Sequence, residues 1–211
     1  MSDVRAGKGV TIVWRGEQPL VLASKSATRL TLLVHAGVPV ETVAADVDER
    51  AIQDAAGDMD PASIALILAR AKALSGASAA PGRMVLGADQ TLALGAKIYH
   101  KPASIEAARH QLSELAGQTH ALHSAVAVAT DGQIRFETVV SAFLTMRPLS
   151  EEALGAYIAA AGPRVLTSVG AYQLESVGVH LFTRVDGDHF TILGLPLLQL
   201  LPFFRGEGLL P

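Results

Sequence analysis

Hydrophobic and polar positions alternate along the chain in blocks that match strands and helices. Short apolar runs at residues 20–22 and 84–88 predict buried strands. Residues 61–75 and 104–116 begin with capping residues and predict helices. Residues 119–143 carry an Asp-Gly pair between two strand-like runs and predict a β-hairpin. This succession predicts an α/β fold with a mixed sheet flanked by helices.

Other segments complete the predicted order. Residues 38–43 predict a strand that leads into an acidic loop at 46–50, and residues 91–99 predict a second hairpin. Near the end of the chain, residues 177–184 predict a strand and residues 194–204 a final helix. We expect residues 1–19 to be a loose leader, with local packing only at 11–14, and residues 20–211 to form a single domain.

Composition limits the functions that this chain can have. Half of its 211 residues are hydrophobic and the net charge is −3, so a large core is expected and a nucleic-acid or membrane partner is not. The absence of cysteine excludes disulfides and thiolate metal sites, and the scattered histidines show no metal-binding spacing. No signal peptide is visible, and a cytoplasmic location is the simplest expectation. Any phosphate site must be a local concentration of cations.

The segment after the first predicted strand is the first candidate site. Ser24, Lys25, Ser26 and Arg29 precede or begin a predicted helix. A helix N-terminus offers free N–H groups and a positive dipole end, and both favour an anion such as phosphate. The alternative is a capped helix with a few surface charges.

Acidic residues provide the second candidate. Asp89 follows a wholly apolar strand, where it can serve as a general base or a Mg²⁺ ligand; the alternative is a carboxylate that caps a turn. Glu49, with Asp46 and Asp48, is a further metal candidate, and a solvated acidic loop is its alternative. Lys72, which the helical pattern places off the apolar face, is another candidate.

Several segments together resemble the Maf family of nucleoside triphosphate pyrophosphatases over about residues 20–205. The matching segments are residues 22–29, 46–49, 69–73, 86–90, 101–102, 170–175 and 194–196. The resemblance implies a fold like that of inosine triphosphate pyrophosphatases, with two lobes around a cleft. It also implies hydrolysis between the α and β phosphates, dependent on Mg²⁺ (or Mn²⁺ or Co²⁺), and a homodimer.

The resemblance also assigns roles to individual residues. Asp89 matches the proposed proton acceptor, and Glu49 and Asp89 are the expected metal ligands. The residues expected to bind the triphosphate are Ser24, Ser26, Arg29, Lys72 and Lys101.

The resemblance implies that three positions bear on the choice of nucleobase: Thr28, Gln90 and Glu175. The pair Gln90 and Glu175 resembles the subgroup that acts on 7-methyl-GTP, and a carboxylate suits the N1–H and amino donors of guanine. Ala27 and Thr28 depart from the family pattern, as do residues 167–169, where one usual cation is missing. The alternative function is a non-catalytic, nucleotide-binding regulator of cell division.

Overall fold

A computed structural model describes residues 13–211, and within them one seven-stranded mixed sheet has the order β2-β1-β3-β5-β6-β7, with β4 paired to β3. The first strand runs parallel to β2 and β3, and the other pairs are antiparallel. The strands are β1 (Leu20–Ala23), β2 (Val40–Thr42), β3 (Val85–Leu94), β4 (Lys97–Tyr99), β5 (Thr119–Thr130), β6 (Gln133–Met146) and β7 (Phe182–Asp186). The predicted α/β class and both hairpins are confirmed.

Helices flank this sheet, and 3₁₀ turns fill the chain before β7. The helices are α1 (Ala27–His35), α2 (Glu49–Ala56), α3 (Pro61–Ala79), α4 (Ile105–Leu115), α5 (Glu151–Ala161), α6 (His189–Ile192) and α7 (Leu197–Gly206). The 3₁₀ turns cover Gly162–Leu166, Val169–Ala171 and Val177–Leu181.

The strand periodicity of two divides the core between the faces of the sheet. Leu20 and Leu22 point to the side of α1 and α7, whereas Val21 and Ala23 point to the alanine-rich α3. A third apolar cluster lies at the far ends of β3, β5 and β6, under α4 and α5. The fold therefore has two ends with separate cores.

Gly87 sets the distance between α3 and the sheet. A Cβ atom at this position would lie 2.2 Å from the carbonyl oxygen of Ala69 and 2.4 Å from the nitrogen of Ala73, so only glycine fits. By length and hydropathy α3 could cross a membrane, but 44% of its most apolar window is buried and it packs along β1, β3, β5 and β6. The close approach brings the polar residues of α3 to the strand beside them.

Some predicted elements are wrong. The alternating apolar residues of 177–184 form a 3₁₀ turn followed by β7, and the final helix is preceded by the short α6. The acidic loop at 46–50 contains the start of α2, because the Asp48 side chain accepts the Ala51 N–H at 3.0 Å and caps the helix. The strand predicted to end before Asp89 continues to Leu94.

The first described residues pack against the end of the chain. The Trp14 ring meets Phe204 edge-on at 5.2 Å, and the Arg15 N–H donates to the carbonyl of Leu209. The expected packing at 11–14 is therefore seen at Trp14, while residues 1–12 lie outside the described part of the chain.

Candidate active site

The site begins at a break in strand pairing along one edge of β3. Strand β1 pairs with β3 as far as Gly87, and β4 pairs with it only from Leu92 onward. Within residues 13–211 the stretch between them, which includes Asp89 and Gln90, has no strand partner on this side. This edge of β3 is therefore open to side chains of other elements and to a ligand in the middle of the sheet.

A cleft of about 730 Å³ opens at this break. The volume lies in the range of about 300–1,000 Å³ that is usual for small-molecule sites. Ten residues that the sequence singled out for catalysis, substrate, base or metal line this one cleft: Ser24, Ser26, Thr28, Arg29, Glu49, Lys72, Asp89, Gln90, Lys101 and Glu175. The structure thus brings together side chains from both halves of the chain.

Lys72 joins two carboxylates at the floor of the cleft. Its ammonium Nζ lies 2.6 Å from Oδ1 of Asp89 and 2.9 Å from Oε1 of Glu49. Lys72 and Asp89 are both buried, whereas the Glu49 side chain is half exposed. The prediction that Lys72 lies away from the packed face of α3 is wrong, because Gly87 lets that face reach β3.

The guanidinium of Arg29 donates three hydrogen bonds to other parts of the protein. Its Nε donates to the carbonyl of Gly194 at 2.8 Å, and its Nη1 donates to the carbonyl of Ala88 at 2.8 Å and to Ser24 Oγ at 3.1 Å. Burial lowers the pKa of the guanidinium, and the nearby charges of Asp89 and Glu49 oppose that shift. Arg29 thus occupies the break in β3 and joins it to the loop before α7.

The start of α1 supplies neutral donors to the same cleft. The Ser26 side chain caps the helix by accepting the Arg29 N–H at 3.3 Å, and Ser24 Oγ accepts the Ser26 N–H at 3.3 Å. Because Ser24 Oγ accepts two hydrogen bonds, its own hydroxyl proton remains available for a ligand oxygen. The predicted anion site at this helix end has suitable geometry.

Of the three acidic residues predicted in the 46–50 segment, only Glu49 lines the cleft. Asp48 caps α2, and the main chain of Asp46 exchanges hydrogen bonds with Ser75. Gln53, one helical turn after Glu49, also lines the cleft and was not predicted. The spacing of four residues would have indicated it if the segment had been interpreted as a helix.

Gln90 connects the cleft to the segment before α7. Its Nε2 lies 2.8 Å from Ser124 Oγ, 3.0 Å from the Ile192 carbonyl and 3.2 Å from the Thr191 carbonyl. The protein therefore occupies the amide nitrogen, and the amide oxygen is the atom of Gln90 that can face a ligand.

The rim of the cleft is more exposed than its floor. Lys101 and Glu175 are both exposed at its edge, and Thr28 is half-buried in the first turn of α1. Tyr172 and Gln173 line the same wall as Glu175 and were not assigned a role from the sequence. They lie within residues 170–175, one of the segments that resemble the family, and their place in that segment is the sequence signal that could have indicated them.

The donor set suits a hard divalent cation. Carboxylate oxygens of Glu49 and Asp89 converge on one point, which the Lys72 ammonium contacts. Within residues 13–211 no group of three or more His, Cys, Asp or Glu side chains could hold a metal ion. Mg²⁺ typically needs only one or two protein carboxylates, with water and substrate phosphates as its other ligands.

Comparison with known proteins gives close relatives. A nucleoside triphosphate pyrophosphatase from Rhodopseudomonas palustris is 55% identical over 198 residues, which cover 94% of this chain and 98% of that protein. One from Bradyrhizobium diazoefficiens is 56% identical with the same coverage. A 7-methyl-GTP pyrophosphatase from Brucella abortus is 49% identical over 89% of this chain and 96% of its own length.

Structural comparison finds a HAM1 protein from Coxiella burnetii, with a TM-score of 0.45 and 15% identity over 89% of this chain and 98% of that chain. The family model for Maf-like proteins matches residues 19–206. The resemblance inferred from the motifs is confirmed by that match and by the sequence identities, and the chain belongs to the Maf family.

Proposed function

We propose that this protein is a nucleoside triphosphate pyrophosphatase that releases a nucleoside monophosphate and pyrophosphate. The observation that carries the proposal is the contact of the buried Lys72 with Asp89 and Glu49 at the floor of a nucleotide-sized cleft. Relatives at 55–56% identity bear that activity in their names.

The cations of the cleft suit the triphosphate. Lys72 lies at the floor and Lys101 at the rim, while Arg29 holds Ala88 and Gly194 in place beside them. The Ser24 hydroxyl and the free N–H groups at the start of α1 add neutral donors. Phosphoryl transfer depends mainly on such positioning and electrostatic stabilisation.

Asp89 is the residue that we assign to water activation. A water held by its carboxylate attacks the α phosphorus, its proton passes to Asp89, and the bond from the α phosphorus to the bridging oxygen breaks. Pyrophosphate then leaves with that oxygen. When nucleotide phosphates enter, Lys72 gains new acceptors and its hold on Asp89 can relax.

Glu49 and Asp89 would hold the divalent cation, for which Mg²⁺ is our proposal and Mn²⁺ or Co²⁺ are substitutes. When bound, the ion neutralises negative charge on the phosphates. Without a bound ion, the Lys72 ammonium already places a positive charge in contact with both carboxylates.

The nucleobase specificity that we propose includes 7-methyl-GTP. Glu175 lies at the rim of the cleft, where its carboxylate can accept from guanine N1–H and the exocyclic amine. N7-methylation adds a positive charge to the base, which a carboxylate also favours. The Brucella abortus relative named for this substrate supports the choice.

A homodimer is a further proposal, which rests on the family resemblance, and a cytoplasmic location is another, which rests on the composition and pattern of the sequence. Light scattering coupled to size-exclusion chromatography measures the first, and fractionation of the source cells measures the second. Association with nucleic acid or a membrane is not expected from the net charge of −3.

A nucleotide panel tests the proposed function. We would measure pyrophosphate release from 7-methyl-GTP, UTP, dTTP and CTP with Mg²⁺, and nucleotide binding by calorimetry in parallel. Release from at least one nucleotide is the expected result. Binding of nucleotide without release from any of them would instead support the non-catalytic regulator.

A further inference from the structure

The wall of the cleft that carries Glu175 has a strained backbone. Gly170 has φ 75° and Ala171 has φ 61°, so two consecutive residues adopt the left-handed conformation. Alanine rarely adopts this conformation because of its Cβ atom, and such residues persist only where their surroundings hold them. The turn therefore needs contacts that fix it.

Two buried tyrosines supply those contacts. The hydroxyl of Tyr157, on α5, donates to the Ala171 carbonyl at 3.1 Å. The hydroxyl of Tyr172 lies 2.7 Å from Nε2 of His120, on β5, and the Tyr172 ring packs edge-on against Phe182 at 4.8 Å. The strained turn is thus held by hydrogen bonds to helix α5 on one side and to strand β5 of the sheet on the other.

The hydrogen bond between His120 and Tyr172 is poorly explained by stability alone. His120 is 1% exposed, and its Nδ1 has no hydrogen-bond partner among the described residues. A buried polar atom without a partner is unfavourable, and apolar side chains of similar shape at both positions, 120 and 172, would avoid that cost. The histidine thus holds Tyr172 despite a buried nitrogen without a partner.

The chain after Tyr172 leads directly into the cleft. Gln173 is packed against Gly178, where a Cβ atom would lie 2.4 Å from the Gln173 carbonyl oxygen. Tyr172, Gln173 and Glu175 all line the cleft. A shift of the Tyr172 ring would therefore move the segment that presents the Glu175 carboxylate.

His120 is also far from the proposed chemistry. Asp89 pairs with Ala125 in the sheet, and His120 lies five residues before Ala125 on β5. At a strand rise of about 3.4 Å per residue this separation is about 17 Å along the strand. A substitution at His120 should therefore act on the wall that carries Glu175 rather than on the floor that carries Asp89.

We propose that His120 and Tyr172 are positioning residues that fix the wall formed by residues 170–175 and thereby set which nucleobase the cleft accepts. The proposal rests on the proposed function, because it assigns the selectivity of the same cleft. It makes His120 a determinant of base selectivity that never touches the nucleotide.

The test uses His120→Phe, Tyr172→Phe, the double variant and His120→Gln, whose amide nitrogen can replace Nε2. We would compare kcat and KM for 7-methyl-GTP and UTP. In His120→Phe and Tyr172→Phe the ratio of the two kcat/KM values should move about tenfold toward unity, chiefly through KM. The double variant should match the single ones, and His120→Gln should retain the wild-type ratio.

His123→Phe is the matched control, because His123 lies on the same strand and contacts Ser141 instead. An unchanged ratio in His120→Phe and Tyr172→Phe would overturn the proposal, and so would an equal fall of kcat for both nucleotides. The ratio of the calorimetric Kd values for the same two nucleotides is a second measure of selectivity.

If the wild-type protein binds nucleotides without releasing pyrophosphate, the proposed function fails and the ratio of Kd values decides the positioning role by itself. If His120→Phe does not fold, Tyr172→Phe and His120→Gln decide it.

Discussion

The floor and the rim of the cleft are built in different ways. The floor consists of side chains on regular elements: the buried Lys72 on α3 and Asp89 on β3, with the partly buried Arg29 on α1. The rim wall consists of 3₁₀ turns with a strained backbone, and it ends in the exposed Glu175. A rigid floor suits chemistry that needs fixed geometry, and an irregular wall suits the proposed recognition of the base, because it can vary without disturbing that floor.

The largest effect should come from the floor. Asp89→Asn removes the proposed base but keeps the shape of the side chain, so kcat should fall about 10³-fold while nucleotide binding persists. Pyrophosphate release and calorimetry measure the two quantities. Asp46→Asn, the same change on an exposed residue of the acidic segment, is the control. Activity of Asp89→Asn within a few-fold of wild type would show that Asp89 is not the base.

A second change tests whether Arg29 organises the floor. Lysine cannot reproduce the guanidinium fork to Gly194, Ala88 and Ser24, so Arg29→Lys should lower the free energy of unfolding by about 3 kcal/mol. Urea denaturation measures the loss, and activity should fall as well. Arg50→Lys on the exposed start of α2 should leave both unchanged. A fully stable Arg29→Lys variant would contradict the structural role of Arg29.

The pH dependence of stability tests whether a neutral, buried His120 holds Tyr172 in the wall formed by residues 170–175. Burial lowers the pKa of His120 from 6.5 to about 4. Between these values the unfolded chain binds the proton and the folded protein does not, so stability is complete above pH 6.5 and falls as the pH drops toward 4. The loss attributable to His120 should reach about 3 kcal/mol.

Urea denaturation between pH 4 and 7 measures this loss. His120→Phe should be less sensitive to acid than the wild-type protein over this range, since its side chain does not titrate. Parallel curves for the two proteins would show that His120 is not buried in its neutral form.

The smallest effect should come from the exposed end of the wall. Glu175→Gln exchanges a double acceptor for a donor and an acceptor, so the ratio of kcat/KM for 7-methyl-GTP to that for UTP should fall about tenfold. Stability should not change, because Glu175 is exposed. Glu152→Gln, on the exposed start of α5, is the control. An unchanged ratio would remove Glu175 from base recognition.

Local signals in the sequence explain what was predicted correctly. Three features could be predicted because each depends only on neighbouring residues. They are the Ser26 cap at the start of α1, the Ser104 cap at the start of α4 and the turn at Asp131 between β5 and β6. The family motifs then indicated the residues of the cleft. That they line one cavity is a property of the fold that spacing alone does not give.

Tertiary packing explains the errors. Helix α3 is rich in alanine on several faces, so its pattern could not reveal that the face with Lys72 is buried; the space beside Gly87 decides it. Val177 and Val179 alternate like a strand, but the close contact of Gly178 with Gln173 holds them in a 3₁₀ turn. Both outcomes depend on residues distant from the local pattern.

The most direct measurement follows the products of 7-methyl-GTP turnover by ³¹P NMR for the wild-type protein and Asp89→Asn side by side. The expected result is equal amounts of monophosphate and pyrophosphate with the wild-type protein, and bound but uncleaved nucleotide with the variant. Release of orthophosphate and a diphosphate, or equal turnover by the two proteins, would contradict it.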